Sequence, residues 1–573
     1  ARFDALHDKA KMDYDFALLY KSYITSKTDT LSIYAYLKEN KIKEGLKSIL
    51  IELERIRQNG FIEKELELYK KKEISFLEQF LKSKKTRENN SHISEISRNF
   101  LEGEFVIGEE KEIELDKKLY KTIYISDLNE AFKKWFKYDD RLVNFRYTKK
   151  TKNKITKDEF LSIENEIKNT QLTQYEFILD DKPLIEKELI GSKITSEKIH
   201  PAINVIELNL ENGIKVFLKQ TKNNINSFEF TAQSLGGYSH ASLNEYHSAK
   251  STNDLINDWL GYGSFSKSEI KNKIDEQTKV NMRLSRFYEA LDGRAKTEKA
   301  EELFKLIYLR FSPLEIDKVV FQNYISFLKE EKRNEKLNNK DEFSTKVFEE
   351  LCKNHNRCKS TKFEDLSKIK IKSIKDFYDN RFADSSDFVF SFVGDFEIDD
   401  MKSYIQKYLG SLPNINRKES YIDNNIILNG RSTFEVKKNT ENKASISYVF
   451  SSKFRNLAKN RATIYLADTI LNRLLNEEIR EKQKLAYSIG SFRSLRSLPK
   501  PNHLMFIYFD CDPKNVKLIF SKIDEILLKI KKGDFDDKYL ADAKEKQFND
   551  LKESKQSNSF WVTNINMYNF NKE

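Results

Sequence analysis

Two stretches of this chain, 473 positions apart, carry the same residues at the same spacing, and this duplication restricts the fold more than any other feature. Near the start, Tyr14 precedes a strand candidate at Leu31–Leu37 (LSIYAYL). A helical pattern follows over Gly45–Arg57, with Leu46, Ile49, Leu50, Leu53 and Ile56 on one face, and Asn59-Gly60 ends it in a turn. Near the end, Tyr487, the strand candidate Leu504–Phe509 (LMFIYF), the helical set Ile519, Ile523 and Ile526, and Gly533 recur in that order. Both Tyr-to-Gly intervals are 46 residues. A constant offset therefore sets Leu31 on Leu504, Leu46 on Ile519, Leu50 on Ile523 and Leu53 on Ile526. Such a chain folds as repeated units.

The copies differ at one chemically important place. Leu471–Phe492 (LNRLLNEEIREKQKLAYSIGSF) reads as a helix, with Ile464, Ala467, Ile470, Leu471, Leu474, Leu475 and Ile479 at three- and four-residue steps, running into a strand over Leu485–Phe492. In that strand, Leu485, Tyr487, Ile489 and Ser491 are expected on one side. The junction brings Arg480 and Tyr487 together; the offset puts His7, not an arginine, opposite Arg480. The bland alternative pairs Arg480 with Glu477, Glu478 or another acid near the helix end and leaves Tyr487 a half-buried strand aromatic. Tyr14, which has no arginine beside it, is the internal control.

Between the copies, Lys149 to about Lys198 is charged, contains Pro183 and reads as a linker. The second copy opens with a hairpin, Val205–Leu210 and Ile214–Leu218 around Asn212-Gly213, then a strand at Phe228–Ala232 ending in Gly236-Gly237. Helical patterns are expected from there to about Glu350, with Ser266 and Glu269 forming a capping box. Strand Phe388–Val393 and helix Asp399–Tyr408 follow. Further elements expected in the first copy are a helix at Leu128–Phe136 and a strand at Arg141–Tyr147. This alternation argues for α/β or α+β domains. By the offset, the first copy is expected to begin roughly 275 positions before Ala1, in a protein of about nine hundred residues.

At 573 residues the chain needs roughly two to four cores. With 39% hydrophobic residues it is globular, and no apolar run is long enough to span a membrane. The net charge of +11 arises from 101 basic against 90 acidic residues spread along the chain, with no aromatic-interleaved basic motif for nucleic acid. The cluster Lys149–Lys157 reads as a solvated loop. Three cysteines exclude a disulfide scaffold. In CKNHNRC, Cys352 and Cys358 flank His355 and read as a local disulfide, part of a metal site or two free thiols.

Four segments together resemble the pitrilysin/insulinase family of zinc peptidases, the inverzincins, and among them the long bacterial PqqL-like members. They are LNRLLNEEIREKQKLAYSIGS at Leu471–Ser491, SFVGDFEIDDMKSYIQKYLGSLP at Ser391–Pro413, LENGIKVFL at Leu210–Leu218 and NGFIEKELELYKKK at Asn59–Lys72. The resemblance implies an α+β protein of repeated metallopeptidase domains (LuxS/peptidase-like). Each is a mostly antiparallel sheet packed with helices, arranged as a two-half clamshell around a peptide. It implies a second homologous domain at 1–150, a linker at 151–197, a catalytically degenerate third domain at 198–372 and a fourth at 373–573.

The family's zinc motif, H-x-x-E-H, is absent: no two of His7, His92, His200, His240, His247, His355 and His503 are four apart. His240, Glu245 and His247 occupy the corresponding segment of the third domain, but two histidines seven apart on a helix lie about 10 Å apart along its axis. Zinc is therefore expected in an N-terminal domain outside these residues, and none on this chain. The resemblance gives Tyr487 the part of transition-state donor and Arg480 that of substrate-backbone clamp. Expected partners are a peptide or unfolded polypeptide and the zinc-bearing half, in the same protein or as a separate chain, with no nucleic acid and no membrane. The expected compartment is the periplasm, with the cytoplasm as the alternative. A catalytically inactive scaffold subunit of the same fold is the competing function.

Overall fold

The computed structural model describes residues 2–8, 13–25, 28–38, 41–82, 89–147, 151, 153–176, 182–335, 339–426, 431–437 and 442–571. Lys149, Lys150 and Lys152 of the basic cluster lie outside them.

The first unit begins with α1 (Arg2–Asp8) and an antiparallel hairpin, β1 (Tyr14–Thr25) and β2 (Thr28–Leu37). Helices α2 (Ile42–Asn59), α3 (Glu63–Lys82), α4 (Asn89–Glu102), α5 (Glu109–Thr122) and α6 (Ile125–Trp135) follow. Gly60, at φ 76°, stops α2 and donates to the Ile56 carbonyl. The expected strand at Arg141–Tyr147 is irregular backbone. With no strand beside it among the described residues, its aromatics Phe145 and Tyr147 pack instead against Ile155 and Phe160. Phe160 belongs to α7 (Lys157–Lys168), a capped helix inside the segment read as linker. Phe160 and Ile167 are buried, and Arg141 pairs with the buried Glu164, so that segment is docked structure in this part.

The second unit is a seven-stranded sheet in the order β3-β4-β5-β9-β6-β8-β7. Its strands are β3 (Ile194–His200), β4 (Val205–Leu210), β5 (Lys215–Gln220), β6 (Ser227–Leu235), β7 (Lys279–Leu284), β8 (Tyr288–Lys296) and β9 (Val389–Gly394). Only β5 and β9 run parallel. The hairpin at Asn212-Gly213 is as expected, whereas β7 and β8 fall in a stretch expected to be helical. Their apolar alternation (Val280, Met282) is short and interrupted by charges, and only pairing with β6 reveals it. The helices of this unit are α8 (Tyr246–Asp254), α9 (Lys267–Lys273), α10 (Ala300–Arg310), α11 (Lys318–Glu335), α12 (Asn339–Leu351), α13 (Ile371–Arg381) and α14 (Ile398–Tyr408). Ser266 and Glu269 close the capping box on α9. Cys352 and Cys358 form a disulfide after α12, and His355 there accepts from the Arg357 N–H.

The boundary expected at 372/373 cuts through this unit, because β9 lies between β5 and β6 and α14 packs on α10. Strand β9 reads VFSFVG and is buried on both faces. Phe392 stacks with Phe230, Phe304 and Phe390 on one side; Val389 and Val393 face the other.

The third unit has the sheet β10-β12-β11, from β10 (Ala444–Lys453), β11 (Ala486–Arg496) and β12 (Asn502–Cys511), with α15 (Ala458–Leu475), α16 (Val516–Lys532) and α17 (Asp537–Ser554). Ile519, Ile523 and Ile526 of α16 are buried against it. The last helix, α18 (Asn558–Asn571), leaves this unit and lies on the Val389/Val393 face of the seven-stranded sheet. The architecture is α+β with mostly antiparallel sheets, as the sequence led one to expect.

Candidate functional site

The junction after α15 contains two backbone irregularities, each carrying one of the expected residues. Helix α15 passes into a π-helical turn at Asn476–Lys482 that includes Arg480. A π-turn inserts a residue into the helical repeat and turns the following side chains to a new direction, which is why such turns recur at functional sites. Ile479 is fully buried beneath it, and its carbonyl accepts from the Leu485 N–H at 3.0 Å; Lys484, at φ 52°, makes the turn between. Asn515 Nδ2 donates to the Leu485 carbonyl at 3.1 Å and holds the strand entrance.

The second irregularity is a bulge at the start of β11. Ala486 pairs with Cys511 and Ser488 with Asp510, leaving Tyr487 as the extra residue. The expected common side for Tyr487, Ile489 and Ser491 is therefore not observed: Ile489 and Ser491 are 6% and 7% exposed, Tyr487 60%. In a strand of period two, one inserted residue reverses the facing of its neighbours. The first unit shows the converse. There Tyr14 pairs with Leu37 just before the bulge, in the place of Ala486 rather than of Tyr487. Tyr14 is fully buried, with its hydroxyl donating to the Phe3 carbonyl at 3.1 Å.

Nor does Arg480 pair as its bland reading required. Glu477 accepts from Arg473 at 2.8 Å and from the Tyr539 hydroxyl, and Glu478 is taken by Lys482 at 2.7 Å. Among the described residues, no hydrogen bond or ion pair engages the Arg480 guanidinium or the Tyr487 hydroxyl. Around them the scaffold is tied down: Asp468, on α15, accepts from Ser491 Oγ at 2.7 Å and from Arg493 at 2.8 Å. The arrangement offers a permanently charged planar donor and a phenolic O–H, both free, on a braced support. The sequence nominates both residues but shows neither the π-turn nor the bulge on which they sit.

The residues in the segment corresponding to the family's zinc motif do not fit a metal. His240 precedes α8 and donates through Nε2 to the Ser420 carbonyl at 2.6 Å; Glu245 accepts from Ser242 at 2.7 Å; His247 lies in α8, 3.6 Å from Asp365. Among the described residues, no cluster of three or more His, Cys, Asp or Glu could hold an ion. Beneath Gly236-Gly237 there is instead a buried polar network. Glu289 accepts from the Gly237 N–H at 2.6 Å and lies 3.9 Å from Arg381, which in turn holds Glu419 at 2.7 Å. Gly237 is at φ 59°, and a Cβ there would meet the Ser285 carbonyl oxygen at 2.3 Å, so this turn requires glycine. Burial pushes the Glu289 carboxyl up to about 8, opposed by Arg381 and the Gly237 N–H.

The fold is similar to that of M16 peptidases. Residues 368–547 match the family model described as the peptidase M16 inactive domain. The chain is homologous to the PqqL-like zinc proteases. The probable zinc protease PqqL of Haemophilus influenzae is 19% identical over 536 residues, covering 92% of this chain and 56% of that protein. Among solved structures, the periplasmic protease PqqL from Escherichia coli superposes with a TM-score of 0.63 at 18% identity, covering 99% of this chain and 62% of that one. The ferredoxin protease FusC, in complex with Arabidopsis ferredoxin, superposes with a TM-score of 0.68 at 16% identity, covering 96% and 61%. The chain thus spans a little over half the length of these relatives.

Proposed function

We propose that this chain is the non-zinc portion of a zinc metalloendopeptidase that hydrolyses peptides in a closed chamber. The observation that carries the reading is that Arg480 and Tyr487 are both exposed and unpartnered on a π-turn and a bulge, whereas the internal control Tyr14 is sealed in the core. Zinc chemistry belongs to residues outside this chain, and these residues alone have no peptidase activity. The Tyr487 O–H donates to the oxyanion that forms when the scissile carbonyl becomes tetrahedral, a contact stronger in the transition state than in the ground state. The Arg480 guanidinium donates to substrate backbone carbonyls and sets the register of the peptide.

Among the described residues no helix is long and apolar enough to cross a membrane, and the E. coli relative is periplasmic; we assign this protein to the same compartment. An inactive scaffold that complements a separate zinc-bearing chain is the second reading, favoured by the description of the matched domain as inactive. Bound zinc and peptide turnover, measured together on the full-length polypeptide, separate the two: the scaffold has neither by itself.

Arg480→Lys tests the clamp. Lysine keeps the charge but loses the planar pair of donors, so KM on a fluorogenic peptide is expected to rise about tenfold, about 1.4 kcal/mol. The turnover number should stay within a factor of about two, because the lost contact is made equally to substrate and transition state. A fall in kcat at constant KM would move Arg480 from binding to chemistry.

A further inference from the structure

In the second unit, the loop over residues 260–266 and the end of α10 border a cavity of about 420 Å³, within the range of small-ligand pockets. Leu260, Leu309, Pro313, Leu314 and Ile316 form much of its wall, and Arg310 lines it from the last turn of α10. That arginine is 4% exposed. A guanidinium keeps its charge at every working pH, so burying one calls for a counter-charge or a full set of acceptors. Other buried arginines have them: Arg2 meets Glu52 and Glu65, Arg381 meets Glu419, and Arg357 donates to the Tyr238 and Ala241 carbonyls. Arg310 has less. An arginine in the last helical turn can serve the carbonyls of its own helix, but here Nη1 reaches across to the Gly261 carbonyl at 3.2 Å, and Cζ lies 3.8 Å from the centroid of the Tyr262 ring. Nε is sealed without a partner. Among the described residues no carboxylate pairs with Arg310, and Nη2 is neither engaged nor sealed.

We propose that this cavity is a binding site for a monocarboxylate with an apolar body, the carboxylate held by Arg310 and the body by the wall of Leu260, Leu309 and Leu314. The planar fork of a guanidinium matches a carboxylate, and bonds between two charged partners are the strong ones. Glu269, Glu315 and Asp317 also border the cavity and limit the charge of the ligand, because they repel a phosphate or polyphosphate more than a single carboxylate. Two of these acids are fixed by backbone N–H groups: Glu269 accepts from Ser266 at 2.8 Å and Asp317 from Val319 at 2.7 Å. Two sources carry the chemistry that fits, the C-terminal residue of a peptide and a small free acid. The assignment uses the cavity and Arg310 alone and stands apart from the roles given to Arg480 and Tyr487.

Trp259 lines the cavity, so its fluorescence reports what enters. In the full-length protein, N-acetyl-leucine is expected to shift that fluorescence with a Kd of about 1 mM. N-acetyl-leucinamide, the same molecule without the carboxylate, should bind at least about tenfold more weakly, and inorganic phosphate should not displace the acid. Arg310→Lys keeps the charge but not the fork and should weaken binding about tenfold. A second variant leaves Arg310 and its contacts in place. Ser264 is exposed at the edge of the cavity, and Ser264→Phe should block entry while the urea midpoint stays that of the parent. N-acetyl-Ala-Leu binding at least as tightly as N-acetyl-leucine would support the site with a peptide C-terminus as its source; hexanoate binding more tightly than either would support it with a free acid. Equal binding of the acid and its amide, displacement by phosphate, unchanged binding in both variants, or no binding of any of the three carboxylates up to about 10 mM would each overturn the proposal.

Discussion

Tyr487→Phe, introduced into the full-length protein, is expected to lower kcat on a fluorogenic peptide by about 10²- to 10³-fold, the usual cost of deleting one donor to an oxyanion. The change removes a single oxygen from a side chain 60% exposed, so folding stability should move by less than about 0.5 kcal/mol. KM should change little, because the hydroxyl is engaged only as the carbonyl oxygen gains charge. The same substitution at Tyr14 inverts the pattern. It costs about 1 kcal/mol of stability through the bond to the Phe3 carbonyl and leaves kcat as it was. Steady-state kinetics and urea unfolding on the two variants give four numbers. Equal kcat for Tyr487→Phe and the parent would remove Tyr487 from the reaction.

The second large effect is a pH dependence of stability centred on Glu289. In the folded protein its carboxyl keeps a proton up to about pH 8, because burial penalises the charged form more than Arg381 and the Gly237 N–H favour it. In the unfolded chain the proton leaves near the ordinary glutamate value of 4.5. Between those values the folded state binds more protons, so stability falls as pH rises, by up to about 1.4 kcal/mol per pH unit. Asp387, pushed by burial up to about 6, adds a slope of the same sign that ends lower. Glu289→Gln accepts the same N–H without titrating. Its urea midpoint should be flat from pH 6 to 8, while the slope below pH 6 persists. An unchanged slope between pH 6 and 8 would show that Glu289 is ionised in the fold, held by Arg381. The network sits under the Gly236-Gly237 turn, where the resemblance puts the family's zinc-motif segment. In this unit the residues there brace a turn.

Local patterns were legible wherever one element satisfied its own hydrogen bonds or carried a turn residue. The hairpin at Asn212-Gly213, helix α2 with its stop at Gly60 and the capping box of α9 all follow from neighbouring residues. Elements whose reason to exist lies far along the chain were not legible. Strands β7 and β8 need β6, and α7 is held by contacts to α2; β9 is legible as a strand, but its place in a sheet begun more than a hundred residues earlier is not. The constant offset between the copies held for the succession of elements and failed for the facing of the strands. Tyr14 takes the place of Ala486, so two tyrosines matched in sequence point to opposite sides.

By itself the sequence determined the duplication, the absence of the family's zinc motif and the nomination of Arg480 and Tyr487. It could do so because repeats, motifs and periodicity are carried by residues near one another in the chain. Only the tertiary structure decided that the two side chains are free of partners among the described residues. That outcome depends on Glu477 and Glu478 being claimed by Arg473, Tyr539 and Lys482, and on one unpaired residue in a ladder formed with β12. Partner choice among competing charges, and the face of a bulged strand, are set by long-range packing.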